Sequence, residues 1–282
     1  MRSTMGASER SCRRSQRRMR DAAAYNVRVI ERAMCILGCF DDEHPERGLS
    51  EIAQMVNLPV PTVLRILATL QNAGYVERRI GSEKYRLGLT LLEMGMGVVR
   101  RLPVRRRARL FMLELERQFE ETCDLSVFAG GELLCIEVVQ SRRTLRVAGS
   151  PGYRSPLHAT ASGKAFLAHL PPEEARTMLR APLQRYTERT ITSPERLMEQ
   201  LAEVRVRGYA VDDGEFRPEV RAVAAAICSK DGRPIAAMGV PGPCARLDDA
   251  HLREIGAALV AATHQVSLWL QGVEQEDPPS VV

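Results

Sequence analysis

Apolar residues recur along the first third of the chain at the spacing of helices, with a hairpin pattern after them. Between Asn26 and Phe40, the residues Val29, Ala33, Ile36, Leu37 and Phe40 fall on one helical face. A turn region follows from Asp41 to Gly48. Ser50 then caps a short second helix, with Glu51 in its first turn and Ile52, Ala53 and Val56 facing inward. The run Asn57-Leu58-Pro59-Val60-Pro61 stops that helix. A third starts near Pro61 or Thr62, carries Val63, Ile66, Leu67 and Leu70 on one face, and ends at Gly74. Tyr75 to Arg79 and Lys84 to Leu87 read as two short strands.

Leu89, Leu92, Met96 and Val99 mark a further helix that runs into a break at Arg100-Arg101-Leu102-Pro103, and another helix carries Leu110, Leu113 and Phe119. From there the period changes. Strands are predicted at Leu125 to Ala129, Leu133 to Val139, Leu145 to Val147, Tyr209 to Val211, Val220 to Ile227 and Pro234 to Val240. Helices are predicted at Ser162 to Leu170, Pro172 to Leu179 and Pro194 to Arg207, and a closing helix carries Leu252, Ile255, Leu259, Val266 and Trp269. The expected fold is α+β: a winged helix-turn-helix at 26–88, a linker helix at 89–103 and a mixed α/β domain at 104–272. Disordered ends are expected at 1–25 and 273–282.

At 282 residues the chain is long enough for two domains. Its 40 Lys and Arg against 35 Asp and Glu give a modest excess. That excess is uneven: Arg10 to Arg20 reads RSCRRSQRRMR, a basic arm whose natural partner is a polyanion. No apolar core follows it, as a signal peptide would require, and no apolar run approaches the ~20 residues of a membrane span. A soluble, cytoplasmic protein without a membrane partner is expected. The seven cysteines are odd in number and lack CxxC spacing, so reduced thiols and no metal or cofactor are expected.

Two helices joined by a tight turn can place the second in the major groove of DNA. With Val63, Ile66, Leu67 and Leu70 packed inward, Thr62, Arg65, Thr69 and Asn72 remain on or beside the solvent face. The hairpin adds Arg78, Arg79, Lys84 and Tyr85 as a wing over phosphates. The plainer alternative is a small helical domain with an exposed charged hairpin.

Residues 29–37 (VIERAMCIL), 49–53 (LSEIA), 58–67 (LPVPTVLRIL), Leu70, Gly74-Tyr75-Val76 and Tyr85-Arg86-Leu87-Gly88 resemble the IclR family of bacterial transcription regulators. So do 156–165 (PLHATASGKA), Thr190-Ile191-Thr192, Gly208-Tyr209-Ala210 and 220–226 (VRAVAAA). The resemblance implies a homodimer or dimer of dimers on a near-palindromic operator, and a GAF-like C-terminal domain that binds a small organic acid. It places Ser50, Val60, Pro61, Thr62, Arg65 and Thr69 at the DNA. Family members often carry polar residues where Val60 and Leu64 stand, so direct readout shifts to Thr62 and Arg65, with Val60 able to touch only a thymine methyl.

Free N–H groups at a helix start attract anions, which makes Ala161, Ser162 and Gly163, after Thr160, a cradle for a carboxylate. The resemblance adds Asp212, Val220, Ala222, Gly239 and Pro241 as pocket contacts. Several members carry Cys at the position of Ala222 and hydroxyls at those of Gly239 and Pro241; losing them makes a roomier, less polar pocket that favours a bulkier, partly apolar or aromatic acid. Gly163-Lys164 is not a P-loop, since a second glycine and a following Ser or Thr are missing. Two other classes compete: an enzyme using Asp212, Asp213 and Glu215 as an acid/base cluster near His158, and a constitutive DNA-binding protein with no effector.

Overall fold

The computed structural model describes residues 27–272, positions 42, 80, 180 and 181 excepted. The basic arm at Arg10 to Arg20 lies outside the described residues. The chain divides into two compact units, one ending at Val98 and the other beginning at Val99.

In the first unit, α1 (Arg28–Leu37), α2 (Leu49–Val56) and α3 (Val60–Asn72) surround a core in which Ile36, Ile52, Val63 and Leu67 are fully buried. Between α2 and α3 the chain bends by 110°, the range of a helix-turn-helix. Asn57 makes that corner in the left-handed region, at φ 53°. A three-stranded antiparallel sheet closes the unit, in the order β1 (Glu46–Gly48), β3 (Lys84–Leu87), β2 (Val76–Arg78). Its strand β1 lies where a turn was expected. Ser50 is not the cap of α2: Gly48 is, and its N–H donates to Glu51 Oε2 at 2.8 Å. Helix α3 starts one residue ahead of the predicted Pro61, with that proline in the first turn, where no N–H is missed.

Helix α4 (Leu89–Arg100) buries none of its residues, and Leu89, Leu92, Met94, Met96 and Val98 are exposed. Among the described residues no single helix is long and apolar enough to cross a membrane.

The second unit is built on six antiparallel strands in the order β6-β5-β4-β9-β8-β7. They are β4 (Cys123–Ala129), β5 (Glu132–Val139), β6 (Arg154–Ser155), β7 (Ala210–Asp213), β8 (Val220–Cys228) and β9 (Pro234–Pro243). The predicted strand at Leu145 to Val147 does not form; β6 takes its place eight residues on, paired to β5.

Alternation along the strands separates two faces. Leu125, Val223, Ala225, Ile227, Met238 and Val240 pack against α5 (Pro103–Phe119) and α9 (Asp249–Leu270). The opposite face carries Ala210, Ala224 and Ala237 under α6 (Ala161–Ala168), with α7 (Pro172–Met178) and α8 (Pro194–Arg207) outside it. Alanines there bring α6 close to the strands. Phe128 and Phe166 stack at 5.3 Å beside them.

Candidate functional site

On α3 the inward stripe leaves Val60, Pro61, Leu64, Arg65, Ala68, Thr69, Gln71 and Asn72 exposed, and Thr62 half-buried. Arg65 has no ion pair among the described residues, and Thr69 Oγ1 donates to its carbonyl at 3.0 Å. Ser50 is exposed on the first turn of α2. The hairpin guanidiniums are all paired: Arg78 with Glu83, Arg79 with Glu46 at 2.8 Å and Arg86 with Glu77 at 2.8 Å. Such exposed pairs are worth ~0–1 kcal/mol each, so a phosphate can replace the carboxylate at little cost. Lys84 is exposed and without an ion pair among the described residues. Tyr85 departs from expectation. It is 5% exposed and packs in the core of the first unit, so strand alternation has turned it away from the surface that Lys84 and Arg86 occupy.

The second unit holds a cavity of about 160 Å³ between the sheet and the start of α6. Thr160, Ala161, Ser162, Asp212, Val220, Ala222, Gly239 and Pro241 all line it. Sheet register explains the grouping. Asp212, Ala222 and Pro241 are successive partners across β7, β8 and β9, and Ala224, Gly239 and Asp124 form the next row across β8, β9 and β4. The small residues of β8 and β9 leave the space that larger ones would fill.

Gly163, the ninth predicted residue, does not line the cavity. Its N–H donates to Thr160 Oγ1 at 3.1 Å, and a Cβ added to it would run into the backbone of Leu157. Thr160 is thus the N-cap, its hydroxyl donating in turn to the Pro156 carbonyl at 2.7 Å. The N–H groups of Ala161 and Ser162 have no acceptor among the described residues, and both residues face the cavity. They sit at the positive end of the helix.

Sequence reasoning missed several lining residues, among them Thr122, Asp124, Ser126, Cys135, Tyr153, Phe216 and Arg217. A signal existed for two: Asp124 and Ser126 alternate with apolar residues along β4. Burial pushes the Asp124 carboxyl up to about 6, against the Ser126 hydroxyl that donates to Oδ2 at 3.1 Å. Burial likewise pushes Asp212 up to about 7, although its Oδ1 accepts the Glu215 N–H at 2.7 Å. Behind the cavity, Lys164 Nζ meets Glu215 Oε1 at 2.5 Å, both side chains buried. Thr190 Oγ1 holds the Glu215 carbonyl at 2.6 Å, and the following Phe216 and Arg217 reach the cavity mouth, Arg217 Nη2 donating to Tyr153 Oη at 3.3 Å.

The three carboxylates of the supposed acid/base cluster go separate ways. Asp212 caps the Glu215 turn, Asp213 pairs with Arg189 at 3.0 Å and Arg221 at 2.7 Å, and Glu215 is taken by Lys164. His158 Nε2 bonds the Gln184 carbonyl at 2.8 Å, and burial lowers its imidazole pKa.

Comparison with known proteins agrees with both halves. Residues 29–79 match the IclR helix-turn-helix domain, and residues 96–268 match the bacterial transcriptional regulator IclR C-terminal domain. The HTH-type transcriptional regulator BhcR of Paracoccus denitrificans is 35% identical over 245 residues, covering 86% of this chain and 88% of its own. The transcriptional repressor IclR of Escherichia coli is 31% identical over 255 residues, covering 89% and 93%. Among solved structures, an IclR homologue from Microbacterium hydrocarbonoxydans in complex with 4-hydroxybenzoate superposes with a TM-score of 0.74 at 27% identity, covering 85% of this chain and 98% of that one. The Thermotoga maritima IclR superposes with a TM-score of 0.70 at 28% identity, covering 87% and 99%. These relatives are transcription regulators and not enzymes. An exposed recognition helix behind a helix-turn-helix corner, a small-molecule cavity in the second unit and matches that span both place this chain in the IclR family of bacterial DNA-binding transcription regulators.

Proposed function

We propose that this regulator binds operator DNA through α3 and the β2–β3 hairpin, and that a small monocyclic carboxylic acid in the second unit changes its operator affinity. The cavity carries the reading. It has two unpartnered N–H groups at a helix start, alanine and glycine walls, and a volume on the scale of the ~150 Å³ known to hold a benzene ring. A two-carbon acid would leave most of that space empty. The complex of a family member with 4-hydroxybenzoate supports an acid of this size. The regulator acts in the cytoplasm as a dimer or dimer of dimers, with the exposed apolar residues of α4 available for a second copy to cover.

At the DNA, Ser50, Val60, Pro61, Thr62, Arg65, Thr69, Arg78, Arg79 and Lys84 remain the proposed contacts. Tyr85 is left out because its side chain is buried. Arg65→Ala is expected to weaken operator binding on the order of tenfold and to relax sequence preference at one position, as loss of a base contact does. Unchanged affinity and selectivity in a mobility-shift titration would remove α3 from the groove.

The acid is tested by titrating the protein with benzoate and with acetate while following thermal stability and operator affinity. Benzoate is expected to raise the melting temperature and change operator affinity, and acetate to do neither. The factor by which benzoate changes operator affinity must equal the factor by which operator changes benzoate affinity. Ala161→Asp places a carboxylate where the ligand's would sit, at a helix start that tolerates it, so DNA binding persists and the response is lost. A wild-type response in that variant puts the acid elsewhere.

A further inference from the structure

Asp124 stands where the sheet meets the start of α6. It is the register partner of Gly239, and a Cβ added to that glycine would lie 2.8 Å from Asp124 Oδ1 and 2.7 Å from Ser162 Oγ. The two oxygens are therefore near neighbours across the bare glycine. Ser162 is also one of the two residues that offer an unpartnered N–H to the cavity. A ligand carboxylate seated on those N–H groups would be a near neighbour of the Asp124 carboxyl, and a like charge nearby disfavours ionisation.

We infer that the cavity takes up a monocarboxylate together with one proton from solvent, which is held between the ligand's carboxyl and that of Asp124. The inference rests on the carboxylate reading of the cavity given above, and it identifies Asp124 as the residue that makes effector binding depend on pH.

Among the described residues no cation pairs with Asp124 to offset a second negative charge, and the cation that lines the cavity is Arg217 at its mouth. On β4 it is flanked by the Cys123 thiol and bonded by the Ser126 hydroxyl, and the Cys135 thiol faces it from β5. Burial keeps both thiols neutral, raising Cys123 well above its ordinary value and Cys135 to about 12. Gly239 is its register partner on β9, and the Ser162 hydroxyl of α6 stands across that glycine. Asp212 stands elsewhere on the cavity wall, its Oδ1 turned to the Glu215 N–H, with the Lys164–Glu215 pair behind it. Arg217 lies at the mouth, over the Tyr153 and Phe216 rings. No ion pair reaches Asp124 among the described residues.

The direction follows from the free protein. With the Asp124 carboxyl at about 6, it already holds its proton below that pH, and an arriving carboxylate binds at full affinity. Above it, binding must recruit the proton. The bound complex raises the Asp124 pKa further, so affinity falls as pH rises, by up to about tenfold per unit.

The test is calorimetric titration of the full-length protein with benzoate, between about pH 5.5 and pH 8, in two buffers of different ionisation enthalpy. Wild type is expected to take up close to one proton per benzoate above pH ~7 and to lose affinity with rising pH. Asp124→Asn is expected to bind benzoate with no proton uptake and a flat pH profile. Wild-type binding without proton uptake overturns the inference and leaves the carboxylate site standing. Uptake that persists in Asp124→Asn also overturns it, since the proton then sits elsewhere. Absence of benzoate binding to either protein at any pH overturns the carboxylate site itself.

Discussion

Gly163→Ala is expected to lower the stability of the second unit by about 3 kcal/mol, read as an earlier urea midpoint, although the added methyl group is apolar and the site is helical. Alanine is ordinarily the better helix former by ~1 kcal/mol. Here the new Cβ would stand 2.3 Å from the Leu157 carbonyl oxygen, 2.5 Å from its Cα and 2.6 Å from its carbonyl carbon. All three are backbone atoms, which cannot rotate away as a side-chain tip can. Relief requires the first turn of α6 to lift from the 156–160 segment, and that breaks the Gly163 N–H bond to Thr160 and opens the cavity wall. Benzoate binding should fall with stability. Gly95→Ala on α4, where nothing lies within 4 Å of the added carbon, is the matched control and should be neutral or stabilising. Equal midpoints for wild type and Gly163→Ala would mean that this contact is soft and that α6 is held by something else.

The same glycine shows how far the sequence could be read. The run of small residues pointed to the cavity wall, and eight of nine expected effector residues line it. What spacing alone could not show is that Gly163 serves the packing of the wall while Ala161 and Ser162 face the space. Helices of the first unit were legible because their apolar stripes are long and regular. Strand β1 was not, since Glu46-Arg47-Gly48 has no strand pattern of its own and exists only by pairing with β3. Leu145 to Val147 failed the other way: an apolar alternation found no partner strand, and Val147 lines the cavity instead. Tyr85 and Asp124 were within reach. Period-2 alternation sends Lys84 and Arg86 to one side and Tyr85 to the other, and on β4 it sets Asp124 and Ser126 on the face opposite Leu125. Beyond reach was the bond from Lys164 to Glu215, between residues 51 positions apart in a fold not yet known.

That bond carries the largest expected effect. Lys164→Met is expected to destabilise the second unit by about 3–5 kcal/mol, because it leaves the Glu215 carboxylate buried and without its cation. The Lys164 side chain is fully buried and that of Glu215 is 6% exposed, so water cannot replace the lost partner. Among the described residues Glu215 Oε2 has no hydrogen bond partner even in the intact pair, which makes the pair an imperfect exchange for the hydration of two ions. Apolar replacement of both ends should therefore recover most of the loss: Lys164→Met with Glu215→Leu is expected near wild-type stability, within ~1–2 kcal/mol. The coupling energy from this double-mutant cycle is then several kcal/mol. Function should follow a different course. Glu215 precedes Phe216 and Arg217 at the cavity mouth, and its main chain is still held by Asp212 and Thr190 when its side chain changes. If those bonds suffice, the double variant binds benzoate as wild type does, and the ion pair serves folding alone. If the double variant is stable yet fails to bind, the pair sets the position of the mouth relative to α6. A single Lys164→Met variant as stable as wild type would refute the premise that both outcomes share, that Glu215 is left enclosed and without a partner once its lysine is gone.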